Sequence, residues 1–276
     1  MLTLAWGAAT DRGLVREINE DSLVAQPPVF LVADGMGGYR SGDRASTIVA
    51  EEFTAGNNIE RVTQEWVMQA FARADSRIRA DTHGGTTVVG MAVVQQDSMP
   101  YWLIFNIGDS RLYRCSGGVL SQVSVDHSVV QELVDQGRLE AGQARFHPER
   151  HVITRAVGAA RTARPDYWLV PVEAGERLLL CSDGLSGELD IEAIAAVVTR
   201  KGNPQEIADS LVELALSVGG KDNVTAVVVD VLAAGQDIPS GSSTGTTGDP
   251  NRAATDDEST RPRDAAVSLR AVSTKG

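Results

Sequence analysis

Four times in this chain an unbroken apolar run meets an aspartate at a turn-forming residue. VFLVADGMGG (29–38) carries Val29-Phe30-Leu31-Val32 to Asp34, with Gly35, Gly37 and Gly38 behind it. YWLIFNIGDS (101–110) ends at Asp109 beside Gly108, and ERLLLCSDG (176–184) ends at Asp183-Gly184. GGKDNVTAVVVDV (219–231) reverses the order, with Asp222-Asn223 just ahead of Val224 to Val231. Runs this apolar and β-branched read as central strands. Glycine lets the backbone turn sharply and come close to whatever the aspartate holds. One such junction is an ordinary Asp-Gly turn, and four unrelated turns are the plain alternative. Four can also bring their carboxylates to one edge of a sheet, where crowding raises their pKa values unless a cation neutralises them. Oxygen donors without sulfur or imidazole suit a hard divalent ion such as Mg²⁺ or Mn²⁺.

The bulk numbers narrow the class. The chain has 276 residues, 42% of them hydrophobic and 22% charged, which suits a soluble globular protein with a sizeable core. A net charge of -12 argues against a nucleic-acid or anionic-membrane binder. Cys115 and Cys181 are the two cysteines, and Cys181, inside an apolar run, reads as a small buried hydrophobe. The start, MLTLAWGAATDRG, has neither a basic leader nor a sustained apolar segment, and no stretch approaches a membrane span. A reducing, cytoplasmic setting is expected.

Helices are expected between the strands. SGDRASTIVAEEFTA spaces Ala45, Ile48, Val49 and Phe53 for one face, and NIERVTQEWVMQAFARADSRIRADT does the same with Ile59, Val62, Trp66, Ala70, Phe71, Ala74 and Ile78. GGTTVVGMAVV and YWLIFNIGDSRLYRC read as consecutive antiparallel strands. HSVVQELVDQGRL reads as a short helix and ARFHPERHVITRAVG as an irregular arm. DIEAIAAVVTR and NPQEIADSLVELALSVG are two further helices, the second with Asn203 as N-cap, Pro204 at its first position and Gly219 after its end. The last strand should close near Val231. From Ala233 the chain turns to Gly, Ser, Thr, Pro and charge, so residues 1–232 are expected to form one domain and 233–276 a disordered tail.

Upstream, VREINEDS sets Arg16 close to Glu20 and Asp21, and an arginine fork suits phosphate oxygens. The ordered set R-x-x-N-E-D, A-D-G-M-G-G, G-T-T, G-D-S-R, D-H-S, S-D-G and D-N resembles the metal-dependent PP2C (PPM) serine/threonine phosphatases. The likeness is to the bacterial branch that opposes Hanks-type kinases, and it runs from about Trp6 to Val231. It implies an α+β fold, a four-layer α-β-β-α sandwich of two stacked antiparallel sheets flanked by helices. It implies that Asp34 bridges two Mn²⁺ or Mg²⁺ ions, that the Gly35 carbonyl ligates one, and that Asp183 and Asp222 complete the other. Glu20 and Asp21 match positions that hold metal-bound waters or ligands, Arg16 the phosphate-binding arginine, and Asp109 the carboxylate associated with a third metal in bacterial members.

The implied reaction is hydrolysis of phosphoserine and phosphothreonine in proteins by a metal-activated water. Its implied partners are phosphorylated proteins and a Ser/Thr kinase, with no nucleic acid, no membrane and a monomeric chain. Two departures stand out. Many eukaryotic members have a histidine after Asp-Gly, proposed to protonate the leaving group, and here that residue is Met36. His151 lies in the arm resembling the family's flap and is expected to face solvent, while His127 is expected to act structurally at a turn. The competing readings are a catalytically dead relative that binds phosphoproteins, which should have lost metal carboxylates, and an enzyme of sigma-factor regulation, which usually carries a sensor domain.

Overall fold

The computed structural model describes residues 1–37, 41–55, 61–97, 99–159 and 164–234. Its eleven strands and seven helices, counted among those residues, form two antiparallel sheets between two helical layers. The first sheet has the order β1-β11-β10-β7-β8, formed by Leu2–Asp11, Val224–Ala234, Arg177–Cys181, Arg111–Ser116 and Val119–Gln122. The second has the order β2-β3-β5-β6-β9, formed by Asp21–Gln26, Val29–Met36, Val88–Gln96, Met99–Ile107 and Asp166–Pro171, with the short β4 (Gly85–Thr86) also paired to β3. Helices α1 (Ser41–Thr54) and α2 (Gln64–Asp81) cover the second sheet. Helices α6 (Ile191–Val198) and α7 (Pro204–Val218) cover the first. The short α3 (Val129–Asp135), α4 (Ala141–Ala144) and α5 (Asp183–Ser186) lie in the connections.

The apolar runs are continuous because both faces of each central strand are buried. On β3, Val29, Leu31 and Ala33 face α1 and α2, whereas Phe30 and Val32 face the other sheet. On β11, Val224, Ala226 and Val228 face α6 and α7, and Val227, Val229 and Val231 face inward. Alternate side chains therefore feed different cores, as the two-residue period of a strand requires. The expected four-layer sandwich is the fold observed.

Local boundaries shift where capping decides them. The second predicted helix begins only at Gln64, because the Thr63 side chain accepts the Trp66 N–H as N-cap, a bond worth about 1 kcal/mol. Val62 is buried just ahead of the cap and shares a core with Val67, and Ile59 lies outside the described residues. Asn203 caps α7 with a reciprocal Glu206 bond, as its sequence promised. β11 runs to Ala234, pairing with Leu2, so the last strand extends past Val231 and past the expected boundary at 232. The remainder of the expected tail lies outside the described residues.

One expectation fails in a way that matters for the site. YWLIFNIGDSRLYRC reads as a single strand but is two, β6 in one sheet and β7 in the other. The break is at Gly108, whose φ of +105° favours glycine. There the chain crosses between the sheets, and Asp109 sits in the crossing.

Candidate active site

The four strand–aspartate junctions converge, but not along one sheet edge. Asp34 belongs to the second sheet, Asp183 and Asp222 flank strands of the first, and Asp109 lies between them. They meet at one end of the sandwich, around a cleft of about 640 Å³ that Arg16, Glu20 and Gly35 also line. Asp34 is not at the strand's end either, since β3 continues through Met36 against β4.

Each carboxylate is held by its backbone. Asp34 donates its N–H to Thr87 Oγ1 at 3.2 Å, and its carbonyl accepts from Thr87 N at 2.9 Å and Thr86 Oγ1 at 3.0 Å. Thr87 Oγ1 also pairs with Ser110 Oγ at 2.7 Å, which joins the Asp34 strand to the Asp109 crossing. Gly35 tolerates no side chain, because an added Cβ would stand 2.2 Å from the Gly42 carbonyl oxygen. Gly37, with φ +125°, makes the turn beyond it, and Gly38 lies outside the described residues. On the opposite wall, Ser182 N donates to Thr225 O at 3.1 Å and Ser182 Oγ accepts from Thr225 N at 3.0 Å. Those bonds set the end of β10, with Asp183, beside the start of β11, with Asp222.

Asn223 and Thr87 are the organising residues that motif reading passed over. Asn223 Oδ1 accepts from Glu20 N at 2.8 Å, while its Nδ2 donates to Arg12 O and Ile18 O, both at 2.9 Å. One buried amide thus fastens the Arg16–Glu20 segment to the base of β11. Their signals, G-T-T and D-N, were visible in the sequence, but the amide's partners more than 200 residues away and the hydroxyl's partners on other strands and turns were not.

Asp21 pairs with Asp34 across the sheet at the start of β2. It does not line the cleft but stands behind its wall, where Oδ2 accepts from Thr225 Oγ1 at 2.6 Å. Its far side meets a shallower groove of about 550 Å³, walled by Thr10, Ser22, Thr47 and Glu51 and by no basic residue. That groove offers a phosphate no cation, and its Asp21 and Glu51 would repel one. The cleft has Arg16, Arg150 and Lys221 on its walls.

The electrostatics are those of crowded, buried acids. Burial, reinforced by the charges of Asp21, Asp183 and Asp109, holds the Asp34 carboxyl well above the usual range. Burial also pushes Asp21 and Asp109 up to about 7. Glu20 Oε1 and Asp21 Oδ1 are buried and have no hydrogen-bond partner among the described residues. Arg16 Nη2 reaches Asp222 Oδ2 at 2.6 Å, the one cation in direct contact with this set among the described residues. No three of these groups meet in a finished ligand shell among the described residues. The fit to a metal therefore rests on donor chemistry, and there it is good: oxygen only, unpartnered in part, with a desolvation cost that a divalent cation would offset.

The other candidates resolve simply. Cys181 is a free thiol, fully buried, and burial pushes its pKa up to about 12. Cys115 is also free and buried. His127 is buried, next to Ser128, the N-cap of α3. His151 is largely exposed, as expected, yet it stands on the cleft rim with Nδ1 3.9 Å from Asp183 Oδ2. That distance is too long for a hydrogen bond, though Asp183 raises the imidazole's pKa.

Known proteins share this arrangement. The protein phosphatase 2C family matches residues 16–220. A serine/threonine phosphatase, Stp, of Listeria monocytogenes is 33% identical over 240 residues, 80% of this chain and 93% of that protein. The serine/threonine phosphatase PstP of Mycobacterium tuberculosis is 36% identical over 84% of this chain and 46% of its own length. Its crystal structure superposes with a TM-score of 0.77 at 36% identity, covering 83% of this chain and 99% of that one. A second structure, the PstP catalytic domain with two manganese ions, gives 0.76 at 35% identity over 84% of this chain and all of that one. The family match and the shared fold agree: the chain belongs to the protein phosphatase 2C family and is a protein serine/threonine phosphatase.

Proposed function

We propose that the chain hydrolyses phosphoserine and phosphothreonine in phosphoproteins by direct attack of water, with two Mn²⁺ or Mg²⁺ ions in the cleft, in opposition to a Hanks-type kinase. The observation that carries this is the set of buried carboxylates around Asp34, held above their usual pKa range and left with unpartnered oxygens. Asp34, the Gly35 carbonyl, Asp183 and Asp222 would hold the two ions, with Glu20 beside them and Asp21 supporting from behind the wall. Asp109 would hold part of a third. Ions bound there supply Lewis acidity, lowering the pKa of water toward neutrality and offsetting the charge of the phosphate.

The chain's own groups do the rest. Arg16, whose side chain is half-exposed at the cleft mouth, offers its fork to the phosphate oxygens in exchange for Asp222. No serine or cysteine lines the cleft among the described residues, and Thr87 spends its hydroxyl on Asp34 N and Ser110. Cys181 is buried and stays a thiol. A serine, threonine or cysteine phosphoenzyme thus has no free nucleophile to form on, which favours water.

The binding-only alternative requires lost carboxylates, and all of them are present. We place the domain at residues 1–234, followed by a tail without a fold of its own, acting as a monomer in the cytoplasm. Two buried free thiols suit a reducing compartment, and no described helix is long and apolar enough to cross a membrane.

The test is a metal titration of the chelator-treated protein on a phosphothreonine peptide. Turnover should appear only with added Mn²⁺ or Mg²⁺, and Asp34→Asn should lower it by about 10²–10³-fold or more. Full turnover in chelator, or by that variant, would overturn the mechanism.

A further inference from the structure

His127 has no part in the chemistry above, yet it is bonded to both the Asp109 crossing and the arm that edges the cleft. Its backbone N–H donates to Gly108 O at 2.8 Å, and its ring Nδ1 accepts the Gly108 N–H at 3.1 Å. One residue therefore holds both polar groups of the glycine immediately before Asp109. Gly108 has little latitude, since an added Cβ would stand 2.6 Å from Thr87 Cβ, and Asn106 Nδ2 donates to the same carbonyl at 3.0 Å. Because Nδ1 accepts a backbone N–H, the ring proton is assigned to Nε2.

The other contacts of His127 lead to the arm. Its carbonyl accepts the Thr154 N–H at 2.8 Å, and Val129 N–H donates to Val152 O at 2.9 Å. Residues 152–154 are thereby laid antiparallel along 127–129, with a bridge between Ser128 and Ile153. Ring Nε2 lies 3.2 Å from Asp166 Oδ2, near enough for an electrostatic contact though not a well-directed bond. Asp166 Oδ1 in turn accepts from Arg155 Nη1 of the arm at 2.8 Å. The ring is 5% exposed, so none of these partners is exchanged for water without opening the packing.

We propose that His127 is a positioning residue that ties the placement of the arm to the placement of Asp109. The arm sets His151 and Ile153 on the cleft wall. A phosphoprotein that shifts the arm would then re-aim the Asp109 carboxylate through His127, by a continuous chain of bonded groups. The substrate's identity rests on the function proposed above, whereas the coupling can be read without turnover.

The experiment measures backbone hydrogen exchange in the full-length, metal-free protein. Asp166→Asn and Arg155→Ala act beyond the His127 ring, and neither side chain bonds Gly108; Asp166→Asn leaves in place the backbone pairing of Asp166 with Asn106. Each should speed exchange of the Gly108 amide by roughly tenfold or more, while amides of β10 and β11 keep their protection. His127→Asn retains an acceptor at the Nδ1 position but does not reach Asp166. It should keep Gly108 protected and make added Asp166→Asn silent there. In turnover of a phosphothreonine peptide, His127→Ala should lower kcat by about tenfold with KM little changed, and that loss should vanish in an Asp109→Ala background. An unmoved Gly108 amide in both arm-side variants, or losses at His127 and Asp109 that simply multiply, would overturn the proposal. Should His127→Ala fail to fold, the exchange results with His127→Asn decide. Should the wild-type chain show no metal-dependent phosphatase activity, the proposed function fails, and the exchange results still decide the coupling.

Discussion

Arg16 and Asp222, 206 residues apart, meet at 2.6 Å across the mouth of the cleft. Asp222 raises the guanidinium's pKa further, so the arginine stays charged at any working pH. Both side chains are substantially open to water, 52% and 35% exposed, so the pair adds within about 0.5 kcal/mol to stability. What it holds in place, on the function proposed here, is the fork offered to the phosphate.

Arg16→Ala should therefore leave thermal stability nearly unchanged and raise KM for a phosphothreonine peptide by about tenfold, the usual scale of one charge-assisted contact. Arg16→Lys should restore charge but not bidentate geometry, and recover only part of the loss. Steady-state kinetics with parallel melting curves check both. An unchanged KM in Arg16→Ala would remove the residue from phosphate binding.

The pH dependence of the metal-free protein has a definite sign. Asp21 and Asp109 sit at about 7 in the folded chain, against 3.8 for an ordinary aspartate. Between those values the folded state binds more protons than the unfolded one, so folding weakens as pH rises from about 4 to 7. Melting in chelator should fall by several degrees across that window. Mn²⁺ should raise the melting temperature more at pH 7.5 than at pH 5, because only the ionised carboxylates bind it well. A metal-free protein that melts higher at pH 7.5 than at pH 5 would contradict this. Asp166 acts in a separate window: the His127 contact holds it at about 2, so its contribution is present above the ordinary value of 3.8 and lost only as pH falls toward 2.

Met36 lines the cleft, and it cannot donate a proton. A serine alkoxide needs protonation on leaving, whereas p-nitrophenolate is stable without it. Asp109→Ala should depress phosphopeptide turnover by at least about tenfold more than p-nitrophenyl phosphate turnover. Parallel kcat measurements on the two substrates read the difference, and equal losses would assign Asp109 to the main centre or to the fold.

A chain ended at Ala234 should melt within about 2 °C of the full-length protein and turn over at the same rate. The segment from 235 onward holds too little apolar surface to offset its ordering entropy. β11, by contrast, must be kept to its end, because Ala233 and Ala234 pair with Thr3 and Leu2. A large drop in melting temperature would show that the tail packs on the domain.

Helices and junctions were legible in the sequence because their causes are local. The stripe of Ala45, Ile48, Val49 and Phe53, the Asn203 cap with Pro204, and the four strand–aspartate steps each depend on neighbours within a few residues. Motif order then identified the family, and with it the layered fold. The same local view could not see that Gly108 divides one apolar run between two sheets. When both faces of a strand are buried, the hydrophobic pattern carries no direction, and partner choice is left to pairing across the whole chain.

The sequence by itself determined which carboxylates exist, their order and their setting beside apolar strands, since these follow from composition and turn chemistry. Only the tertiary structure decided where each one points. Asp34, Asp109, Asp183 and Asp222 reach one cleft from both sheets, while Asp21, paired with Asp34 at the start of β2, is drawn behind the wall by its bond to Thr225 Oγ1. The supports decided there as well, Asn223 on Glu20, Thr87 on Asp34 and His127 on Gly108, are hydrogen bonds across long sequence separations. Such bonds form only after the sheets have stacked and excluded the water that would otherwise satisfy the same groups.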